Sequence, residues 1–273
     1  MGGSWRRFGQ FEILTLLDGS FEAFSEVFTH TAGPEARRAA ITAWGEPTFR
    51  IDVNCFVLRG PDGITMVDAG TGTSWGEAYG HARAALAEAG IAPGSVRRIL
   101  ITHVHGDHAL GLFEGDAPYF PAAEVWVPQA DLSFFTDPQA RASLPKARQG
   151  GFDIAERLQR LYAQRLKTIG AGEILPGIEL HPLPGHTFGH SGYLIRGAGE
   201  SLLLWGDALH LGDFQSAAPE IGLEYDLDGA LAARTRRTVL EQAAREGWVV
   251  SGGHIRGFGT IEPRGDGFAI TPA

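Results

Sequence analysis

Apolar residues in this chain fall into short runs bounded by turn-forming residues, with a few longer stretches at helical spacing between them. Residues 11–17 (FEILTLL) predict a first strand, which the turn chemistry of Asp18-Gly19 should close. Phe21, Phe24 and Phe28 recur at spacings of three and four and predict one face of a short helix, while 34–44 reads as a helix opened by Pro34. Residues 51–59 and 64–68 predict two strands joined by the hairpin signal Gly60-Pro61-Asp62-Gly63. A helix over about 77–90 leads into a buried strand at 96–101, followed by a strand at 124–127 and a helix starting over 129–135. In 152–167, Ile154, Leu158, Leu161, Tyr162 and Leu166 mark the buried face of an amphipathic helix. Strands at 178–183, 193–196 and 202–205, a long helix over 227–246 and a last core strand at 248–250 complete the pattern.

ITMVDAG (64–70) and LLLWGDA (202–208) each present a carboxylate beside small residues at the end of an apolar strand. Two similar halves, about 11–150 and 151–273, would then face one another within a single domain spanning 1–273. With 273 residues and 44% apolar content the chain can bury a sizeable core. A net charge of −9 without runs of like charge argues against nucleic acid or an anionic membrane as partner. The single cysteine, Cys55, excludes an internal disulfide and reads as a small buried hydrophobe. The N-terminus has no apolar core after its arginines, and no run approaches membrane-spanning length, so a cytoplasmic protein is expected.

The chemistry is concentrated in LITHVHGDHALG (100–111), where His103, His105, Asp107 and His108 follow the buried strand directly. Imidazole and carboxylate are the ligands that borderline divalent ions prefer, and four such groups at a strand's mouth would repel one another without a cation. His186, Asp207 and His254 end later strands. Seven candidate donors are too many for one tetrahedral ion and about right for two. Zinc is the default for so many histidines, although two carboxylates also admit manganese, iron or cobalt.

HVHGDH, then PGHTFGH with His186, GDA with Asp207 and SGGH with His254 resemble, in that order, the motifs of the metallo-β-lactamase fold superfamily. The resemblance covers most of the chain and implies an α/β fold, a four-layer αββα sandwich with two metals at one edge. It implies that His103, His105 and His186 hold one ion, that Asp107, His108 and His254 hold the other, and that Asp207 bridges them. Asp68 is implied to orient ligands from behind, and His190 is a candidate for the same role. Aspartate at 207, where several true β-lactamases carry cysteine or serine, argues against antibiotic hydrolysis. Histidine at 105, where flavodiiron proteins place glutamate, argues against redox chemistry. The layout is most similar to the branch containing methyl parathion hydrolase and quorum-quenching lactonases.

The resemblance therefore implies a dinuclear hydrolase in which a metal-bridging hydroxide attacks a small ester. A lactone is the leading substrate class, N-acyl homoserine lactones included, with phosphotriester cleavage as a side activity. Asp107 is the expected proton-shuttling catalytic residue. Phe21, Phe24, Phe188 and Phe258 would form an apolar substrate pocket if they converge on the metals, with His210 near its mouth. A glyoxalase-II-like thioesterase and a non-catalytic metal-binding or sensor protein are the alternatives. The N-terminal aromatic segment is a candidate homodimer contact.

Overall fold

Alternate residues of the central strands go to different cores, and this divides the molecule into layers. The structure is a computed structural model describing residues 4–273. Phe56 and Leu58 pack in one cluster and Cys55 and Val57 in another, as do Leu202 and Leu204 against Leu203. Such strands are covered on both faces, which explains why they read as continuous apolar runs.

The first sheet runs in sequence order: β1 (Arg6–Phe8), β2 (Phe11–Phe24), β3 (Thr48–Gly60), β4 (Gly63–Val67), β5 (Val96–Leu100), β6 (Glu124–Pro128) and β7 (Leu166–Ile169). The second does the same: β8 (Gly172–Leu175), β9 (Ile178–Pro182), β10 (Ser191–Ile195), β11 (Leu202–Leu204), β12 (Val249–Ser251), β13 (Gly259–Arg264) and β14 (Gly267–Pro272). Phe8, Ile13, Leu100, Ile178, Tyr193 and Val249 belong to the core between the sheets. The helix Gly150–Tyr162 covers the outer face of the first sheet through Phe152, Ile154 and Leu158. Val239, Leu240 and Ala243 of the helix Gly229–Glu246 cover the second. The result is the expected αββα sandwich. The chain passes from one sheet to the other at 170–171, so the helix Gly150–Tyr162 and β7 belong with the first half. Among the described residues, no helix is long and apolar enough to cross a membrane.

Three local expectations are corrected. Phe21 and Phe24 lie in β2, paired with Ile51 and Thr48 of β3, and Phe28 starts the short strand Phe28–His30. Tertiary pairing overrides their helical spacing. Phe28 instead stacks on Phe49 with ring centroids 5.0 Å apart. Asp18-Gly19 does not end the first strand. The register of β2 on β3 shifts there, and buried Asp18 accepts hydrogen bonds from Thr71 N at 2.8 Å and Thr71 Oγ1 at 2.7 Å. That ties the strand to the loop 70–80. The amphipathic helix stops at Tyr162, because Ala163 takes φ 38° and Leu166–Ile169 forms a parallel strand on Val125–Pro128. Leu166 fits either periodicity.

The strands deliver their C-terminal ends to one edge of the sandwich, and two buried polar residues knit that edge together. Asp131 accepts from Val104 N at 2.6 Å, from Gly189 N at 3.2 Å and from the Thr187 hydroxyl, so it joins the loop after β5 to the loop after β9. Arg236, 1% exposed, donates to the carbonyls of Ala208, Pro219 and Ile221 at 2.8–2.9 Å and approaches Asp226 at 3.6 Å. Replacing a guanidinium in such a place strands its partners in a medium that cannot solvate them. Arg236→Met is expected to destabilise the metal-free protein by about 3 kcal/mol or more, read as a lower urea midpoint at unchanged slope. A loss under about 1 kcal/mol would mean that water takes over those carbonyls.

Candidate metal centre

Four of the five donor histidines at this edge are aimed by a partner on the far side. His108 Nδ1 lies 2.8 Å from Asp68 Oδ2, which leaves Nε2 facing inward. Asp68 also accepts from Thr102 N at 2.8 Å and from Thr102 Oγ1 at 2.9 Å, and it takes φ 59°, a strained conformation for a residue with a side chain. Because Thr102 Oγ1 donates to Asp68, it can accept from His103 Nδ1 at 3.1 Å. His186 Nδ1 is 2.9 Å from Asp226 Oδ1, and His254 Nδ1 donates to the Asp52 carbonyl at 2.7 Å. Such outer partners select the tautomer that presents a lone pair to a metal.

The inward atoms converge in two groups that share one neighbour. His105 Nδ1 lies 3.1 Å from His103 Nε2 and 3.0 Å from His186 Nε2. A tetrahedral ion with metal–nitrogen bonds of about 2.0–2.1 Å would hold its ligands about 3.3 Å apart, close to this spacing. In the second group, Asp107 Oδ2 is 3.6 Å from both His108 Nε2 and His254 Nε2. Asp207 stands between the groups. Its Oδ1 is 3.2 Å from His108 Nε2, and its Oδ2 is 3.1 Å from His254 Nε2, 3.4 Å from His186 Nε2 and 3.7 Å from His103 Nε2. In each group the donor atoms all lie within 4.8 Å of one another.

Electrostatics and unfilled hydrogen-bonding capacity both fit cations here. His108 Nε2, Asp207 Oδ1 and both ring nitrogens of His210 are buried without a hydrogen-bond partner. Burial holds His103 and His105 well below the usual imidazole range, so their lone pairs are free. Burial opposes charge on His108 and His254 too, yet Asp207 and Asp107 outweigh it and raise both. Burial likewise opposes charge on Asp207, and the imidazoles of His108, His254 and His103 still hold it well below the carboxylate range. Buried carboxylates that stabilise positive charge, beside neutral imidazoles, form a mixed N/O donor set suited to two divalent ions.

Backbone shape leaves room for this convergence. A Cβ on Gly253 would come within 2.6 Å of Asp207 Oδ1, and one on Gly206, already at φ 54°, within 2.6 Å of His190 Nε2. His190 is brought in as expected. Its Nδ1 donates to the Leu183 carbonyl at 2.7 Å, so its Nε2 accepts from Asp207 N at 2.9 Å. It therefore orients Asp207 through the backbone.

Five of the donors, His105, Asp107, His186, Asp207 and His254, form the floor of a cavity of about 600 Å³, lined also by Phe21, Trp75, Tyr79, Leu110, Ile154 and Tyr225. Of the four expected pocket phenylalanines, only Phe21 is there. Phe24 is 64% exposed at the end of β2. Phe188 packs on Phe134 beside a different cavity. Phe258 packs on Phe8 and lines a third, on the far side of His254. Each sits on a strand or turn whose register faces it elsewhere. His210 does line the cavity, deep beside the donors rather than at its mouth. It is 3% exposed, stacks on His254 at 4.8 Å, and forms a third donor group with His186 and Asp207. Asp226 and Asp131 were not among the expected site residues. Asp226 lies in the YDLD stretch before the long helix, and Asp131 in a predicted helix, where nothing local distinguishes them from capping or surface carboxylates.

Residues 49–254 match the family model described as the metallo-beta-lactamase superfamily. No curated protein matches the chain. Among solved structures, the hydrolase AbOPH in the beta lactamase superfamily is 28% identical, with a TM-score of 0.88 over 100% of this chain and 98% of that one. AidC, a dizinc quorum-quenching lactonase, is 20% identical, with a TM-score of 0.87 over 100% and 97%. A probable metal-dependent hydrolase from Staphylococcus aureus is 19% identical, with a TM-score of 0.77 over 98% and 99%. A family model that matches most of the sequence, from β3 to the last donor histidine, means that this chain belongs to the metallo-beta-lactamase superfamily.

Proposed function

We propose that the protein is a dinuclear metallo-hydrolase of small esters, acting by preference on lactones such as N-acyl homoserine lactones, with phosphotriesters as side substrates. The observation that carries this reading is the pair of donor groups joined at Asp207 on the floor of an apolar-walled cavity. The quorum-quenching lactonase among the similar structures supports the substrate class. His103, His105 and His186 would hold one ion, Asp107, His108 and His254 the other, and Asp207 both, with zinc as the expected metal. When bound, the ions supply an acidified water as nucleophile and Lewis-acid polarisation of the scissile bond.

The chain's own residues supply orientation and proton transfer. Asp107 is the donor carboxylate that reaches the cavity, with its side chain 13% exposed against 3% for Asp207. It can accept a proton from the attacking water and return it to the leaving oxygen. Phe21, Trp75, Tyr79, Leu110 and Ile154 would exclude water around the reacting bond and bury an acyl tail. A thioesterase is the second reading, because Arg148 and Arg157 give the cavity the cationic groups that a charged thiol carrier would need.

Zinc-loaded protein assayed against lactones, aryl esters, thioesters and phosphotriesters should give its highest kcat/KM on lactones and lose it to a chelator. Two bound ions with no turnover on any of the four would leave a binding protein instead. Asp107→Asn should retain both ions and lower kcat by roughly 100-fold or more, with KM changed less than kcat; near-normal turnover would exclude Asp107 as the proton carrier. Asp226→Ala, which frees His186 Nδ1, should weaken metal binding about 10- to 100-fold in chelator competition. Unchanged affinity would show that Asp226 is not what aims His186.

A further inference from the structure

Apart from the metal donors, the charged residues lining the reaction cavity are Arg148, Asp153 and Arg157. Two of these are engaged. Asp153 pairs with Arg141 at 2.5 Å. Arg157 lies with its guanidinium carbon 4.1 Å from the centre of the Phe113 ring and donates to the Gly115 carbonyl at 2.8 Å. Arg148 differs from both. It ends the turn Lys146–Arg148, just before the helix Gly150–Tyr162, and one nitrogen, Nη2, donates to the carbonyls of Tyr225 at 3.0 Å and Asp226 at 2.8 Å.

Those two bonds fix the plane of the guanidinium without neutralising it. Among the described residues no carboxylate pairs with Arg148, and its Nε and Nη1 have no acceptor. The side chain is half-buried beside Ile154, Tyr225 and Leu227, so the cation is only partly hydrated. A pre-oriented guanidinium with separate unengaged N–H donors on Nε and Nη1, at the wall of an apolar cavity, suits an oxygen acceptor that enters with a ligand. The donor floor below it is already committed to the metals and the scissile bond.

We propose that Arg148 is a specificity-determining residue that takes a second oxygen acceptor of the substrate, apart from the scissile carbonyl. This rests on the ester-hydrolase reading above. The acceptor's chemistry is a carbonyl or carboxylate oxygen. An amide on the acyl arm of a lactone and a carboxylate on the acyl or alcohol arm are its two sources. Preferred substrates are then bifunctional: one oxygen function is cleaved at the floor and another is held by Arg148 at the wall.

The test uses three matched γ-lactones bearing a hydrocarbon arm, the same arm with an amide, or the same arm with a carboxylate. The readout is the ratio of kcat/KM for each acceptor-bearing lactone to the hydrocarbon one, in the metal-loaded wild type and in Arg148→Lys and Arg148→Met. The proposal predicts a wild-type ratio of about 10 to 100 for at least one acceptor, falling to within about threefold of unity in Arg148→Met and partly kept in Arg148→Lys. The larger ratio identifies the source. A disturbance of Asp226 and His186 would lower all three lactones together and leave the ratio alone, so an unchanged ratio overturns the proposal. Calorimetric binding of the matched non-hydrolysable cyclic ethers reads the same ratio without turnover. An Arg148-dependent binding ratio with no hydrolysis would overturn the ester reading and keep the site, whereas hydrolysis with an Arg148-independent ratio would do the reverse.

Discussion

The constraint on which the rest of the molecule depends is the crowding of lone pairs around the Asp207 carboxylate. Five imidazole nitrogens, that of His210 among them, lie 3.1–3.7 Å from its oxygens, and Asp107 approaches from the solvent side. Ion–lone-pair repulsion and desolvation make such a cluster costly unless positive charge is placed within it. A single proton cannot serve so many acceptors, and two divalent ions can. The hydrogen bonds behind the cluster keep it from relaxing outward. Asp68, Asp226 and the Asp52 carbonyl each hold the outer nitrogen of an imidazole, and His190 holds the Asp207 backbone.

The sandwich supplies that convergence because its two sheets end at one edge. The first sheet brings Asp68 after β4 and the HVHGDH loop after β5; the second brings His186, Asp207 and His254 after β9, β11 and β12. Neither half has a complete donor set. Asp131 bonds the loop carrying Val104 to the loop carrying Thr187 and Gly189, and Arg236 ties the segment after Asp207 to Asp226. Strain at Asp68 is tolerated where three hydrogen bonds over-determine its carboxylate.

What could be read from the sequence follows from what is local. Asp107 lies four positions after His103 in one loop, and His186, Asp207 and His254 each end an apolar run, so strand ends and ligand chemistry were visible together. The buried strands were legible because both faces are covered. Phe21 and Phe24 misled because aromatic residues three apart satisfy a helix pattern, and only pairing with Ile51 and Thr48 decides for a strand. Leu166 misled in the same way. The pocket wall was hardly legible at all: Trp75 and Tyr79 come from one loop and Arg148 and Tyr225 from two others, and no periodicity connects the three. Asp226 and Arg236 act through contacts that no spacing announces. His210 read only as a residue near the pocket mouth, because its burial comes from packing on His254 rather than from its neighbours in sequence.

The claim that Asp207 unites two metal sites is tested most directly by a crystal structure of the metal-loaded protein, with the ions located by anomalous scattering. The prediction is two ions about 3.5–4 Å apart, one against His103, His105 and His186 and the other against Asp107, His108 and His254, with a carboxylate oxygen of Asp207 on each. One ion alone at full metal loading, or two ions with Asp207 ligating neither, would contradict it.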